Sequence, residues 1–116
     1  MLLKVGTGGP PAGTYNAKFV GVKETTHEKW GPGLQFQWEI LGGPLAGKIA
    51  SRTTGTTPTQ KNGCGKMLVA LAGRPIIAGE EFDPQTYVGQ AFMIVVAETD
   101  SGGTRVETAI QAPALQ

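Results

Sequence analysis

The seven residues Leu34-Gln-Phe-Gln-Trp-Glu-Ile40 alternate apolar and polar without a break. A period of two puts Leu34, Phe36, Trp38 and Ile40 on one face and Gln35, Gln37 and Glu39 on the other. A helix would scatter those four large side chains around its circumference. The chain therefore contains a strand with one dry face and one wet face, and the rest of the sequence has to supply that strand with neighbours.

Candidate neighbours lie on both sides. In Thr14–Glu24 the side chains of Tyr15, Ala17 and Phe19 share a face opposite Asn16 and Lys18, and Gly21 suits a bulge or a sharply coiled strand. Residues 25–33, Thr-Thr-His-Glu-Lys-Trp-Gly-Pro-Gly, read as a polar loop. After the break at Gly42-Gly43-Pro44, a third strand is expected from Lys48 to about Thr54, followed by an irregular stretch over 55–63. Lys66-Met-Leu-Val-Ala-Leu-Ala72 reads as a helix of two or three turns closed by Gly73 and Pro75, with a buried strand as the competing assignment. An acidic connection over 76–89 leads to Gln90–Ala97. The five successive large apolar residues of that run predict a strand buried on both faces or nearly so. Asp100-Ser-Gly-Gly103 predicts a hairpin into a last strand, Thr104–Ile110, with Val106, Thr108 and Ile110 on one face.

A chain of 116 residues with 18 glycines, 8 prolines and only 16% charged residues fits one domain of short strands and tight turns. The expected division is a Gly- and Pro-rich arm over 1–12, a domain over 13–111 and a loose tail over 112–116. Ten Lys and Arg against nine Asp and Glu leave a net charge of +1, which argues against a strong grip on duplex DNA. With Cys64 as the one cysteine no intrachain disulfide forms. No apolar run approaches the ~20 residues of a membrane span, and the first residues lack the apolar stretch of a signal peptide. No membrane contact and a cytoplasmic location are the resulting expectations.

The element order is strand, strand, strand, helix, strand, strand. That is the order of the five-stranded Greek-key barrel called the OB-fold, an all-β architecture with one short helix. The same order can also be drawn as a three-stranded sheet, a helix and a separate hairpin. Three stretches carry a resemblance: Pro11-Ala-Gly-Thr-Tyr15, then Phe36-Gln-Trp-Glu-Ile-Leu-Gly-Gly-Pro-Leu-Ala-Gly-Lys48, then Tyr87-Val-Gly89 ahead of Phe92–Val96. Together they resemble small bacteriophage and bacterial OB-type proteins that bind single-stranded DNA. The resemblance covers roughly residues 10–110, and its pieces are short and structural. It implies a role in phage replication or recombination, in the host cytoplasm, beside phage or host replication proteins. The sparse basic residues and the lack of an acidic C-terminal tail depart from that pattern.

Catalytic chemistry finds little material. The phosphate-loop pattern is absent, because Gly65-Lys66 is followed by Met67 and preceded at the required distance by Gln60. Cys64 and His27 are too few for a zinc site. Cys64, flanked by Gly63 and Gly65, reads either as a thiol activated by a helix N-terminus and Lys66 or as a small residue in a tight turn. Neither an enzyme nor a bound metal or cofactor is expected.

Binding has better material. An OB barrel holds single strands on the face of its second and third strands, between the loops after strand one and before strand five. The first loop carries His27, Lys29 and Trp30, and base stacking on an exposed tryptophan contributes roughly 1–3 kcal/mol per base. The alternative for Trp30 is to fold back over the barrel mouth, whereas Trp38 belongs to the core by its alternation. Lys48, Arg52, Lys61 and Lys66 gather around the third strand and its exit loop, either as a backbone-tracking groove or as an ordinary solvated face. Arg105 sits beside the last hairpin, as a second contact or as a cross-strand partner of Glu98 or Glu107. The expected function is sequence-tolerant binding of single-stranded DNA or RNA. The alternative is a structural or adaptor protein that uses the barrel for contacts with proteins, copies of itself included.

Overall fold

The computed structural model describes residues 10–28, 31–59, 62–100 and 102–111. The strands are β1 (Gly13–His27), β2 (Gly31–Ile40), β3 (Ile49–Thr54), β4 (Ala91–Glu98) and β5 (Thr104–Gln111), with helix α1 (Gly63–Ala72) between β3 and β4. Short 3-10 turns occupy Gly43–Leu45 and Pro84–Tyr87. All four strand pairings are antiparallel and form one sheet in the order β3-β2-β1-β4-β5. The meander β1-β2-β3 is followed by a long connection that returns β4 to the free side of β1, which is Greek-key order. A separate hairpin is thereby excluded, since β4 is laddered to β1 from Gly13↔Val96 to Lys18↔Ala91.

The sheet is open. Its edges are β3 and β5, and the strand ladders end there. What crosses between them is a side chain: Arg52 of β3 donates from Nη1 to the carbonyls of Val106 (3.4 Å) and Glu107 (3.3 Å) in β5.

The core forms on the inner face where the alternation of β2 places it. Phe36, Trp38 and Ile40 are buried, and Leu34 packs at the margin. Phe19 and Phe92 meet Trp38 with ring centroids 5.2 and 6.3 Å away. Helix α1 adds Met67, Leu68 and Leu71 to the same cluster, each large buried side chain contributing about 1.5–3 kcal/mol. Trp38 Nε1 is the one buried side-chain donor without a hydrogen-bond partner among the described residues. Gly21 sits where expected, at a bulge. Phe19 pairs Trp38 and Gly21 pairs Gln37, which leaves Val20 extra, and Gly21 takes a positive φ of 132°.

Four local expectations change. Residues 25–33 are not one loop, because the β1–β2 ladder continues through Thr25↔Gly33 and Thr26↔Pro32 to His27↔Gly31. Backbone hydrogen bonds and β-branched threonines sustain a ladder beyond the core, so polarity there means water on both faces rather than irregular chain. The helix starts at Gly63, not Lys66, because Asn62 caps it: Asn62 Oδ1 accepts from Gly65 N at 2.8 Å. The rival strand is thereby excluded, and Gly73 closes the helix in the left-handed conformation as its sequence position required.

β4 is buried on one face only. Phe92, Ile94 and Val96 point inward while Met93 is 42% exposed, because no layer covers the outer face of the sheet there. In β5, Val96 pairs Val106 but Val95 pairs Thr108, which leaves Glu107 as an extra residue. That bulge shifts the phase of everything after it. Val106 and Ala109 face the core, whereas Thr108 and Ile110 face out.

Candidate nucleic-acid interface

Of the eight candidate residues, Lys29, Trp30 and Lys61 lie outside the described residues. His27 is the last residue of β1 and pairs with Gly31, the first residue of β2. Lys48 is exposed in the turn ahead of β3, with its carbonyl accepting from Ile40 N at 2.9 Å. It stands apart from the remaining three.

Arg52 and Arg105 converge on Glu107, and Lys66 lines the same groove as Glu107. Arg105 Nε lies 3.3 Å from Glu107 Oε2, and Arg52 Nη1 lies 4.0 Å from the same oxygen. Arg105 thus pairs with Glu107 two residues along its own strand and not across strands, where its register partner is Ala97. The Arg52 side chain is only 9% exposed. Burial and the neighbouring Arg105 pull its guanidinium below the ordinary value, while Glu107 acts in the opposite direction. An arginine remains charged through such shifts, and this one is committed to the two β5 carbonyls. It therefore holds the β3–β5 seam from within, and the exposed cations of the cluster are Arg105 and Lys66. Lys66 and Glu107 line an open groove of about 820 Å³ between α1 and β5, floored by Val69, Ala70 and Ala109.

The pattern that located the core also defines a surface that charge-seeking overlooked. The wet face of β2 pairs with the wet face of β3 as Gln35↔Thr53 and Gln37↔Ser51, and Lys23 of β1 lies opposite Gln35. The side chains are chained: Gln37 Nε2 donates to Gln35 Oε1 at 3.0 Å, and Gln35 Nε2 to Ser51 Oγ at 3.4 Å. An ordered row of amides and hydroxyls offers both donors and acceptors. Above it, towards the hairpin tip, a cleft of about 300 Å³ opens between Thr25, Pro32 and Gly33 on one side and Thr53, Thr54 and Gly55 on the other. Lys23 reaches the outer face only through the bulge before Gly21, since strict alternation from Phe19 turns it inward.

No family model, curated protein or solved structure matches this chain.

The remaining chemistry is quiet. Cys64 is 2% exposed. Burial pushes its thiol up, with a hydrogen bond to Thr54 acting the other way, so the activated-thiol alternative is replaced by a packing role. Among the described residues no group of three or more His, Cys, Asp or Glu is placed to hold a metal. No described helix is long and apolar enough to cross a membrane.

Proposed function

We propose that this protein is an OB-type single-strand nucleic-acid-binding protein. Its ligand runs over the outer face of β2 and β3 from the Trp30 hairpin. The observation that carries this reading is the strand order β3-β2-β1-β4-β5 with α1 in the β3–β4 connection. An OB barrel has that order and closes by bringing β3 to β5, the two edges that Arg52 already bridges. The Gln35, Gln37, Ser51 and Thr53 row supplies hydrogen bonds, Lys23 supplies positive charge, and Trp30 supplies a stacking platform. A net charge of +1 fits a binder that relies on stacking and amide contacts more than on bulk attraction.

The test is a tryptophan-fluorescence titration with a ~30-nucleotide poly-dT, long enough for the ~4–16 nucleotides of one OB site, at low and moderate salt. Trp38 is fully buried, so quenching by added strand reports Trp30. Saturable, salt-sensitive quenching is expected, lost in Trp30→Ala and weakened in Lys23→Glu. Absence of any binding at low salt, by quenching or by anisotropy of a labelled strand, overturns the proposal.

A further inference from the structure

The outer face of the sheet changes character along its length. Towards the hairpin tip it carries the amide and hydroxyl row. At the other end it carries four of the large apolar side chains that the protein leaves in water: Leu41 (41% exposed), Ile49 (39%), Met93 (42%) and Ile110 (61%). The strand registers place them in two adjacent rows. Ile49, Glu39, Lys18 and Ala91 lie side by side across β3, β2, β1 and β4. Next to them come Leu41, Asn16, Met93 and Ile110, since Leu41 N donates to Asn16 O at 2.9 Å and extends the β1–β2 ladder by one step.

Scattered exposed apolar residues are ordinary, but a contiguous set marks a contact surface. The charges within this one identify the partner. Lys18 and Glu39 are half-buried neighbours at the middle of the first row, and no ion pair joins them to each other or to another described residue. The surface is therefore neutral and carries one charge of each sign side by side, which makes it its own electrostatic complement. A phosphate backbone is a poor match, because Glu39 and the apolar side chains of Leu41, Ile49, Met93 and Ile110 would face it.

We propose that this end of the sheet is a two-fold interface between two copies of the chain. A two-fold axis running along the strands between β1 and β2 sets Lys18 of each copy over Glu39 of the other and Ala91 over Ile49. The contact is then isologous, as a closed dimer requires. Because the axis runs along the strands, it also turns the amide row of each copy toward that of the other, but the apolar side chains and the Lys18–Glu39 pair from which the contact is argued are independent of what those rows bind.

Sedimentation of the full chain from ~2 to ~200 µM tests this, with circular dichroism as the check on folding. The wild type is expected to approach twice the 12.1 kDa chain mass as concentration rises. Met93→Lys and Lys18→Glu should each weaken self-association at least tenfold. The swapped pair, Lys18→Glu with Glu39→Lys, should restore it, because the reciprocal contacts are re-formed with opposite polarity. A wild type that stays monomeric throughout overturns the proposal. So does a dimer that Met93→Lys and Lys18→Glu leave intact, since the contact would then lie elsewhere.

Discussion

Gly65 shows how much a single position can depend on its tertiary surroundings. A Cβ built there would stand 1.6 Å from the carbonyl oxygen of Thr59, in the loop ahead of the helix. No side-chain rearrangement relieves a clash with backbone, so the loop would have to move away. The same loop is tied to Asn62, whose Oδ1 accepts from Thr59 N (3.1 Å) and Gly65 N (2.8 Å) and whose Nδ2 donates to Thr57 O (2.8 Å). Gly65→Ala, which would favour a helix on propensity alone, is therefore expected to destabilise the fold by about 1–3 kcal/mol in urea denaturation. A neutral or stabilising result would show that the loop yields freely. From sequence, Gly63-Cys64-Gly65 was recognisable as tight chain, but the cap at Asn62 was not read. The partner that forbids a side chain was not recognisable, because Thr59 reaches Gly65 only through the folded course of the loop.

Among the connections, the segment after α1 has its own clamp. Arg74, just beyond the helix cap, grips Glu80 with two parallel hydrogen bonds of 3.1 and 2.6 Å, and Ile77 N donates to the same carboxylate at 2.9 Å. The Arg74 bond first, then the Ile77 amide, lower the Glu80 carboxyl from 4.5 to about 2. A carboxyl whose value falls on folding stabilises the protein above its unfolded value, and that contribution disappears as pH drops through the folded one. Glu80→Gln should therefore melt below the wild type at pH 7. The gap should begin to close below pH 4.5 and vanish near pH 2. A gap that persists unchanged at pH 2 would mean the clamp works through shape rather than charge. Sequence showed Glu80 only as part of the acidic connection over 76–89. Elsewhere, alternation located β2 and Gly21 marked the bulge of β1, but alternation failed in β5, where the extra residue Glu107 reverses inside and outside. A bulge with no glycine leaves no trace in composition.

At the scale of the whole molecule, the seam between β3 and β5 decides what kind of sheet this is. Two strand edges approach each other, and a buried arginine joins them in place of a backbone ladder. Replacing it with methionine keeps the apolar stem and removes the donor, leaving the Val106 and Glu107 carbonyls without that bond. A stability loss of about 1–3 kcal/mol is expected. Hydrogen-exchange protection should fall first in β3 and β5, while β1 and β2 keep theirs. A uniform loss across all five strands would show that Arg52 supports the core as a whole rather than the seam. On sequence, Arg52 was grouped with Lys48, Lys61 and Lys66 as a surface cation, because a lone arginine between Ser51 and Thr53 carries no mark of burial. Its inward phase follows from the pairing of β3 with β2, Arg52 opposite Phe36.

The sequence by itself determined the strand–strand–strand–helix–strand–strand order, the inner face of β2, the bulge at Gly21 and the end of α1 at Gly73. Each of these is written in local periodicity or in a residue whose backbone preference acts where it stands. Tertiary structure alone decided the sheet order, the open β3–β5 seam, the phase of β5 and the meeting of Arg52 and Arg105 at Glu107. Those depend on which distant segments lie side by side, and pairing energy resides in contacts between strands rather than within any one of them.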